Sequence, residues 1–158
     1  MRGADMIISF AGHSSVSRGE KLCELVKEQI IKNANADDSI TFYLGGYGDF
    51  DEICARACRE LKRAYKSIEL VYVMPYITAS EQEKVKEMIE YGLYDSSIYP
   101  PIETVPPKFA ITKRNEWMVS NADLIIAFVK NKYGGAYKTL TWAKRKNKKI
   151  INLCNFEV

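Results

Sequence analysis

The sequence predicts an α/β chain: a single Rossmann-like, three-layer domain of about five parallel strands flanked by helices. Two observations carry this. Short apolar runs of strand length alternate with longer stretches whose apolar residues recur every three to four positions. Several runs also end in small or glycine-rich turns, and strands alternating with helices at this spacing build parallel sheets with right-handed crossovers. A length of 158 residues suits one domain with a real core, taken as residues 1–158.

The first run, Met6 to Ala11, has the near-continuous apolar character of a strand buried on both faces. Gly12-His13-Ser14-Ser15 follows as a turn, and Ser17 with Glu20 has capping-box spacing. Leu22, Cys23, Val26 and Ile30 then mark a helix. Ile40 to Leu44 forms the second strand and ends in Gly45-Gly46-Tyr47-Gly48. The next helix carries Phe50, Ile53, Cys54, Ala57 and Leu61 on its apolar stripe, with Asp51, Arg56, Arg59, Lys62 and Arg63 assigned to the other side.

Ile68 to Met74 is the third strand, closed by Pro75-Tyr76. Ser80 and Glu83 open a helix that Gly92 ends. Leu93 to Pro107 holds four of the five prolines and breaks the rhythm; long irregular connections are often lids or binding loops, and a rigid surface crossover is the other reading. A helix then runs from near Pro107 to about Asn121. Leu124 to Val129, Tyr137 to Lys146 and Ile150 to Leu153 complete the alternation as strand, helix and strand.

Composition removes several classes. A hydrophobic content of 47% and a charged content of 27% are ordinary for a globular chain. The net charge of +3 is small, and acids and bases alternate along the helices, so nucleic acid is not an expected partner. The basic run Lys144 to Lys149 reads as a solvated helix end. No apolar run approaches the roughly 20 residues of a membrane helix, and Arg2 followed by Asp5 does not make a signal peptide. A cytoplasmic setting without a membrane partner is expected. Cys23, Cys54, Cys58 and Cys154 lack paired CxxC spacing, and His13 is the only histidine. Reduced thiols are expected, with no metal and no cofactor.

The chemistry-bearing stretch is Gly45 to Glu52. Asp49 and Glu52 stand at the spacing of an N-cap and its partner. Strand, glycine turn and helix start together read as a cradle for a phosphate or another anion. The frame puts Asp51 where a dinucleotide fingerprint needs its third glycine, and no Gly-Lys-Ser/Thr follows, so neither NAD nor a P-loop nucleotide is implied. Ligands of open α/β sheets bind at the carboxyl ends of strands where the strand order reverses. If the order is 3-2-1-4-5, the turns at Gly12-His13-Ser14, Gly45 to Gly48 and Gly134-Gly135 line one groove.

Arg114 stands on the apolar stripe of its helix with Ala110, Ile111, Trp117 and Met118. It is open to two readings: an internal pair with Glu52 or Asp123, or a guanidinium directed at a bound phosphate or carboxylate, with Asn115 adding a hydrogen bond. Glu52 likewise either completes the cap or turns its carboxylate to a ribose hydroxyl or to acid–base work.

Gly45-Gly46-Tyr47-Gly48-Asp49-Phe50-Asp51-Glu52 resembles the GGxGTxxE signature of the Lonely Guy phosphoribohydrolases, with Asp49 in place of the threonine. The likeness is greater to the YpsA-like branch of the SLOG superfamily, the fold shared by Smf/DprA and Lonely Guy proteins. Phe10-Ala11-Gly12-His13 looks like its opening strand and Gly-His turn, and Pro75-Tyr76 like its turn after the third strand. Arg114-Asn115-Glu116-Trp117-Met118-Val119 with Ala122-Asp123 is similar to its RNxWMV…SD segment, and Gly134-Gly135 with Thr139 and Ala143 to its last turn and helix. Ser14 stands where many members carry arginine, and no proline precedes Gly45. The resemblance implies binding or sensing of a nucleotide or nucleotide-derived small molecule by these turns and the Arg114–Asn115 pair, and a homodimer by family habit. The other activity it implies is a hydrolase, cleaving an N-glycosidic bond or a signalling nucleotide with Glu52.

Overall fold

The computed structural model describes residues 5–17, 19–65 and 67–156; Arg2 and its bearing on a signal peptide lie outside them. Six parallel strands form one sheet: β1 (Asp5–Gly12), β2 (Ser39–Leu44), β3 (Ser67–Val73), β4 (Ser96–Ile98), β5 (Leu124–Phe128) and β6 (Lys149–Asn152). Their order is β4-β3-β2-β1-β5-β6. The helices are α1 (Gly19–Asn33), α2 (Asp49–Leu61), α3 (Ala79–Glu90), α4 (Ala110–Ser120) and α5 (Gly135–Arg145).

The apolar runs behave as doubly buried strands. Ile8, Phe10, Phe42, Leu44, Leu70 and Tyr72 point to one face, where they pack with Leu22, Val26 and Ile30 of α1 and Phe50, Cys54 and Cys58 of α2. Ala11, Ile125 and Ala127 point to the other, against Val119, Leu140 and Ala143 of α4 and α5. The result is the three-layer Rossmann-like arrangement. The chain winds outward from β1 to β4 and then returns to lay β5 beside β1, in register from Ile8↔Leu124 to Gly12↔Phe128. The crevice between the carboxyl ends of β1 and β5 is therefore the switch point, where ligands bind in such folds.

Four local expectations are corrected. The sheet has six strands because β4 lies inside the proline-rich segment; three residues, Ser-Ser-Ile, are too few to show a period. This segment is an edge strand and a crossover. Asp95 ties it down by donating its N–H to the Leu70 carbonyl and accepting from the Leu70 N–H and the Lys62 ammonium. Helix α3 is capped by Thr78, whose hydroxyl accepts from the Glu81 N–H, so the start lies two residues before the Ser80–Glu83 reading. Glu20 engages Arg56 at 3.1 Å rather than a cap. Finally, α5 begins at Gly135, so the second glycine of Gly134-Gly135 is already helical.

All four cysteines are free thiols. Burial holds Cys54 and Cys58 far above the ordinary thiol range, which makes them packing residues. Among the described residues no helix is long and apolar enough to cross a membrane.

Candidate functional site

A groove of about 460 Å³ opens at the switch point. Gly12, His13 and Ser14 from the β1 end, Gly45 and Tyr47 from the β2 end, Arg114 and Asn115 from α4, and Gly134 and Gly135 from α5 all line it. The proposed site residues thus converge from four separate stretches. Gly46, Gly48, Asp49, Pro75 and Tyr76 do not line the groove. The Tyr76 hydroxyl instead donates to the Pro107 carbonyl at 3.3 Å, tying the β3 turn to the approach of α4. Glu52 is exposed and lines a different surface groove with Asp49, Ile53 and Arg56.

The glycine turn is shaped by close approaches. Gly48 has φ +93°, a left-handed conformation, and a Cβ there would come within 2.7 Å of the Ser14 backbone. The Asp49 N–H donates to the Ser14 carbonyl at 2.8 Å, and the Asp49 carboxylate accepts from the Val16 N–H at 3.1 Å. The N-cap of α2 is Gly48, without a side-chain cap. The expected Asp49–Glu52 capping pair is therefore absent: Asp49 is the first helical residue and joins the turn after β1 to the start of α2.

Arg114 is buried, 1% exposed. Its Nη1 donates to the Gly45 carbonyl at 3.0 Å and to the Val73 carbonyl at 2.7 Å, and its Nε to Asn115 Oδ1 at 2.9 Å. It pairs with neither Glu52 nor Asp123; Asp123 accepts from the Ile7 N–H. The guanidinium ties the ends of β2 and β3 together, and it fits because residue 45 has no Cβ: one built there would lie 3.1 Å from Cζ. Among the described residues Nη2 has no protein acceptor. The guanidinium also sits 5.3 Å from the Tyr47 ring centroid, a ring that Lys84 approaches at 4.9 Å.

Asp51 is the residue that the sequence reading placed wrongly. It lines the groove, and its Oδ2 accepts the Tyr47 N–H at 3.0 Å. Burial pushes its carboxyl up to about 6, against the opposing pull of Arg114 and the Tyr47 hydrogen bond. The signal was present: Asp51, Cys54, Ala55 and Cys58 share one helical face by spacing, and the last three are buried. The expected anion cradle changes accordingly. Asp51 already occupies the Tyr47 amide, the Ser14 carbonyl takes the Asp49 amide, and Asp49, Asp51 and Glu52 fill the first turn of α2.

The other helix start differs. Gly134 caps α5 without a side-chain hydrogen bond, its first turn holds no acid, and Gly134, Gly135 and Ala136 face the groove. Such an end carries unpaired N–H groups and the positive pole of the helix. His13 fixes the loop before it: Nε2 accepts the Lys130 N–H at 2.8 Å, which places the ring proton on Nδ1. Ile111, Met118 and Tyr133, none of them foreseen as site residues, add an apolar wall. Among the described residues no group of three or more His, Cys, Asp or Glu is placed to hold a metal.

No protein-family model and no curated protein matches the chain. Solved structures do. DNA processing protein A (DprA) from Streptococcus pneumoniae superposes with a TM-score of 0.64 at 10% identity, over 94% of this chain and 52% of that one. The single-stranded-DNA-binding DprA of Helicobacter pylori gives 0.54 at 16% identity, over 92% and 63%. The molybdenum cofactor carrier protein of Chlamydomonas reinhardtii gives 0.54 at 11% identity, over 92% and 74%. The chain spans about half to two thirds of the DprA chains it matches. At these identities the likeness is one of architecture: the chain shares a three-layer Rossmann-like α/β fold with DprA and the cofactor carrier.

Proposed function

We propose that the groove binds a nucleotide or a nucleotide-derived ligand and that the protein acts by binding or sensing it. The observation that carries this reading is the uncapped start of α5 opening, beside Arg114, into a groove at the switch point. A phosphate suits the N–H groups of Gly135 and Ala136. A base suits the wall of Ile111, Met118 and Tyr133, and the Tyr47 ring across from it. The anionic group expected at Gly45 to Gly48 is moved to α5, because Asp51 already takes the Tyr47 amide and the first turn of α2 carries three carboxylates.

The expectation against nucleic acid finds no support in the comparisons, since the H. pylori neighbour binds single-stranded DNA. Single-stranded DNA offers the same phosphate and base chemistry as a mononucleotide, so the test includes both. The hydrolase reading loses its carboxylate: Glu52 faces away from the groove.

A thermal-shift screen against nucleoside monophosphates, cyclic nucleotides and a short oligothymidylate tests the proposal, because a ligand that binds only the folded chain raises its melting temperature. The expected result is a saturable rise with a mononucleotide, with the ligand recovered intact by chromatography. No rise with any of these at millimolar concentration would remove the reading. Release of free base would replace it with hydrolysis.

A further inference from the structure

Asp51 has no part in the phosphate and base contacts proposed above, yet it is the one carboxylate of the described residues that lines the groove. Its single hydrogen bond comes from the Tyr47 N–H. An ionised carboxylate has about four acceptor sites, so most of its capacity remains open. Arg114 does not take it up: Nη1 and Nε are committed to the Gly45 and Val73 carbonyls and to Asn115, and among the described residues Asp51 forms no ion pair within 4 Å. One amide of the glycine turn, that of Tyr47, is also already engaged by this carboxylate.

From this we infer that Asp51 is the specificity-determining acceptor of the groove: it takes a hydrogen bond from a ligand hydroxyl or amine at the β2 end and turns away phosphate there. The inference rests on the binding reading and deepens it, by giving the ligand a direction. A nucleoside monophosphate lies with its phosphate at α5 and a donor-bearing group, a sugar hydroxyl or an exocyclic amine, toward Asp51. A second phosphate at the β2 end is disfavoured, because it would face the Asp51 carboxylate, which already holds the Tyr47 amide. Sites built to receive a ligand donor discriminate strongly against analogues lacking it, since the buried acceptor is then left unpaired.

Calorimetry at pH 7.5 with AMP, IMP and 2′,3′-dideoxyadenosine monophosphate provides the test. IMP lacks the exocyclic amine and the dideoxy analogue lacks the vicinal hydroxyls, so the two arms separate the sources of the donor. The wild-type chain is expected to lose roughly tenfold or more in affinity for one of them. In Asp51→Asn, which keeps an acceptor for Tyr47, that preference is expected to fall to threefold or less. Binding of all three ligands by the wild type within threefold overturns the inference while leaving the binding reading intact, and needs no variant. An unchanged preference in a folded Asp51→Asn overturns it as well. Failure of all three to bind overturns the inference as drawn for a nucleoside monophosphate, and the binding reading falls with it only if the thermal-shift screen also shows no rise.

Discussion

Replacing Asp51 by Asn tests the electrostatics of the groove without any ligand. The carboxyl is held at about 6 against an ordinary value of 3.8, chiefly by burial. At about 1.4 kcal/mol per tenfold change, that difference amounts to roughly 3 kcal/mol. The sign follows from proton linkage. Below pH 3.8 the native and unfolded chains both carry the proton. From there to about 6 the native chain keeps it while the unfolded chain loses it, so stability falls as pH rises. Above 6 the full cost is present. Asn cannot ionise and still accepts from the Tyr47 N–H. Urea denaturation of both chains at pH 4.5, 5.5, 6.5 and 7.5 is therefore expected to show the variant gaining on the wild type as pH rises, by about 2 kcal/mol across these points, since about 1 kcal/mol of the cost is already present at pH 4.5. Thermally this is roughly 2–4 °C per kcal/mol for a chain of this size. A gap that stays constant with pH, or narrows toward pH 7.5, refutes the assignment of a desolvated, half-buried carboxylate to this position.

Arg114→Ala is expected to destabilise the chain by about 3 kcal/mol or more, because it strips the Gly45 and Val73 carbonyls of their donor and opens a cavity; a loss below about 1 kcal/mol in denaturant titration would show that the guanidinium is not an anchor. His13→Ala removes the acceptor for the Lys130 and Asn131 amides. Hydrogen exchange at those two amides should then quicken by roughly tenfold or more, with the strands of the sheet unchanged, and unaltered exchange there would show that the ring does not hold the loop.

Much of the architecture was legible because its strands are buried on both faces. The five longer strands stand where their apolar runs placed them, and the order 3-2-1-4-5 assumed for them matches β3-β2-β1-β5-β6. What failed was local. β4 is held by pairing to β3 and by Asp95, neither of which leaves a pattern in three residues. Thr78 and Ser80 both offer a cap at the start of α3, and tertiary context decides between them. Arg114 was readable as a buried charge, but its partners are main-chain carbonyls, which have no identity in a sequence. Asp51 was misplaced because an acid in a first turn is ordinarily a solvated answer to the helix pole.

The two glycine-headed helix starts also show why backbone motif and binding role part company here. Gly48 and Gly134 have nearly the same conformation, φ +93° with ψ 170° and φ +90° with ψ 179°, and neither helix has a side-chain cap. Their neighbours differ. A Cβ at Gly48 would strike Ser14, whereas one at Gly134 meets nothing within 4 Å. The first turn of α2 brings Asp49, Asp51 and Glu52; that of α5 brings no acid. One backbone geometry thus serves two ends: at α2 it is closed by packing and answered by the chain's own carboxylates, and at α5 it is left open to the groove. The glycines set where a helix pole points, and the residues of the first turn decide whether any of that pole is left for a ligand.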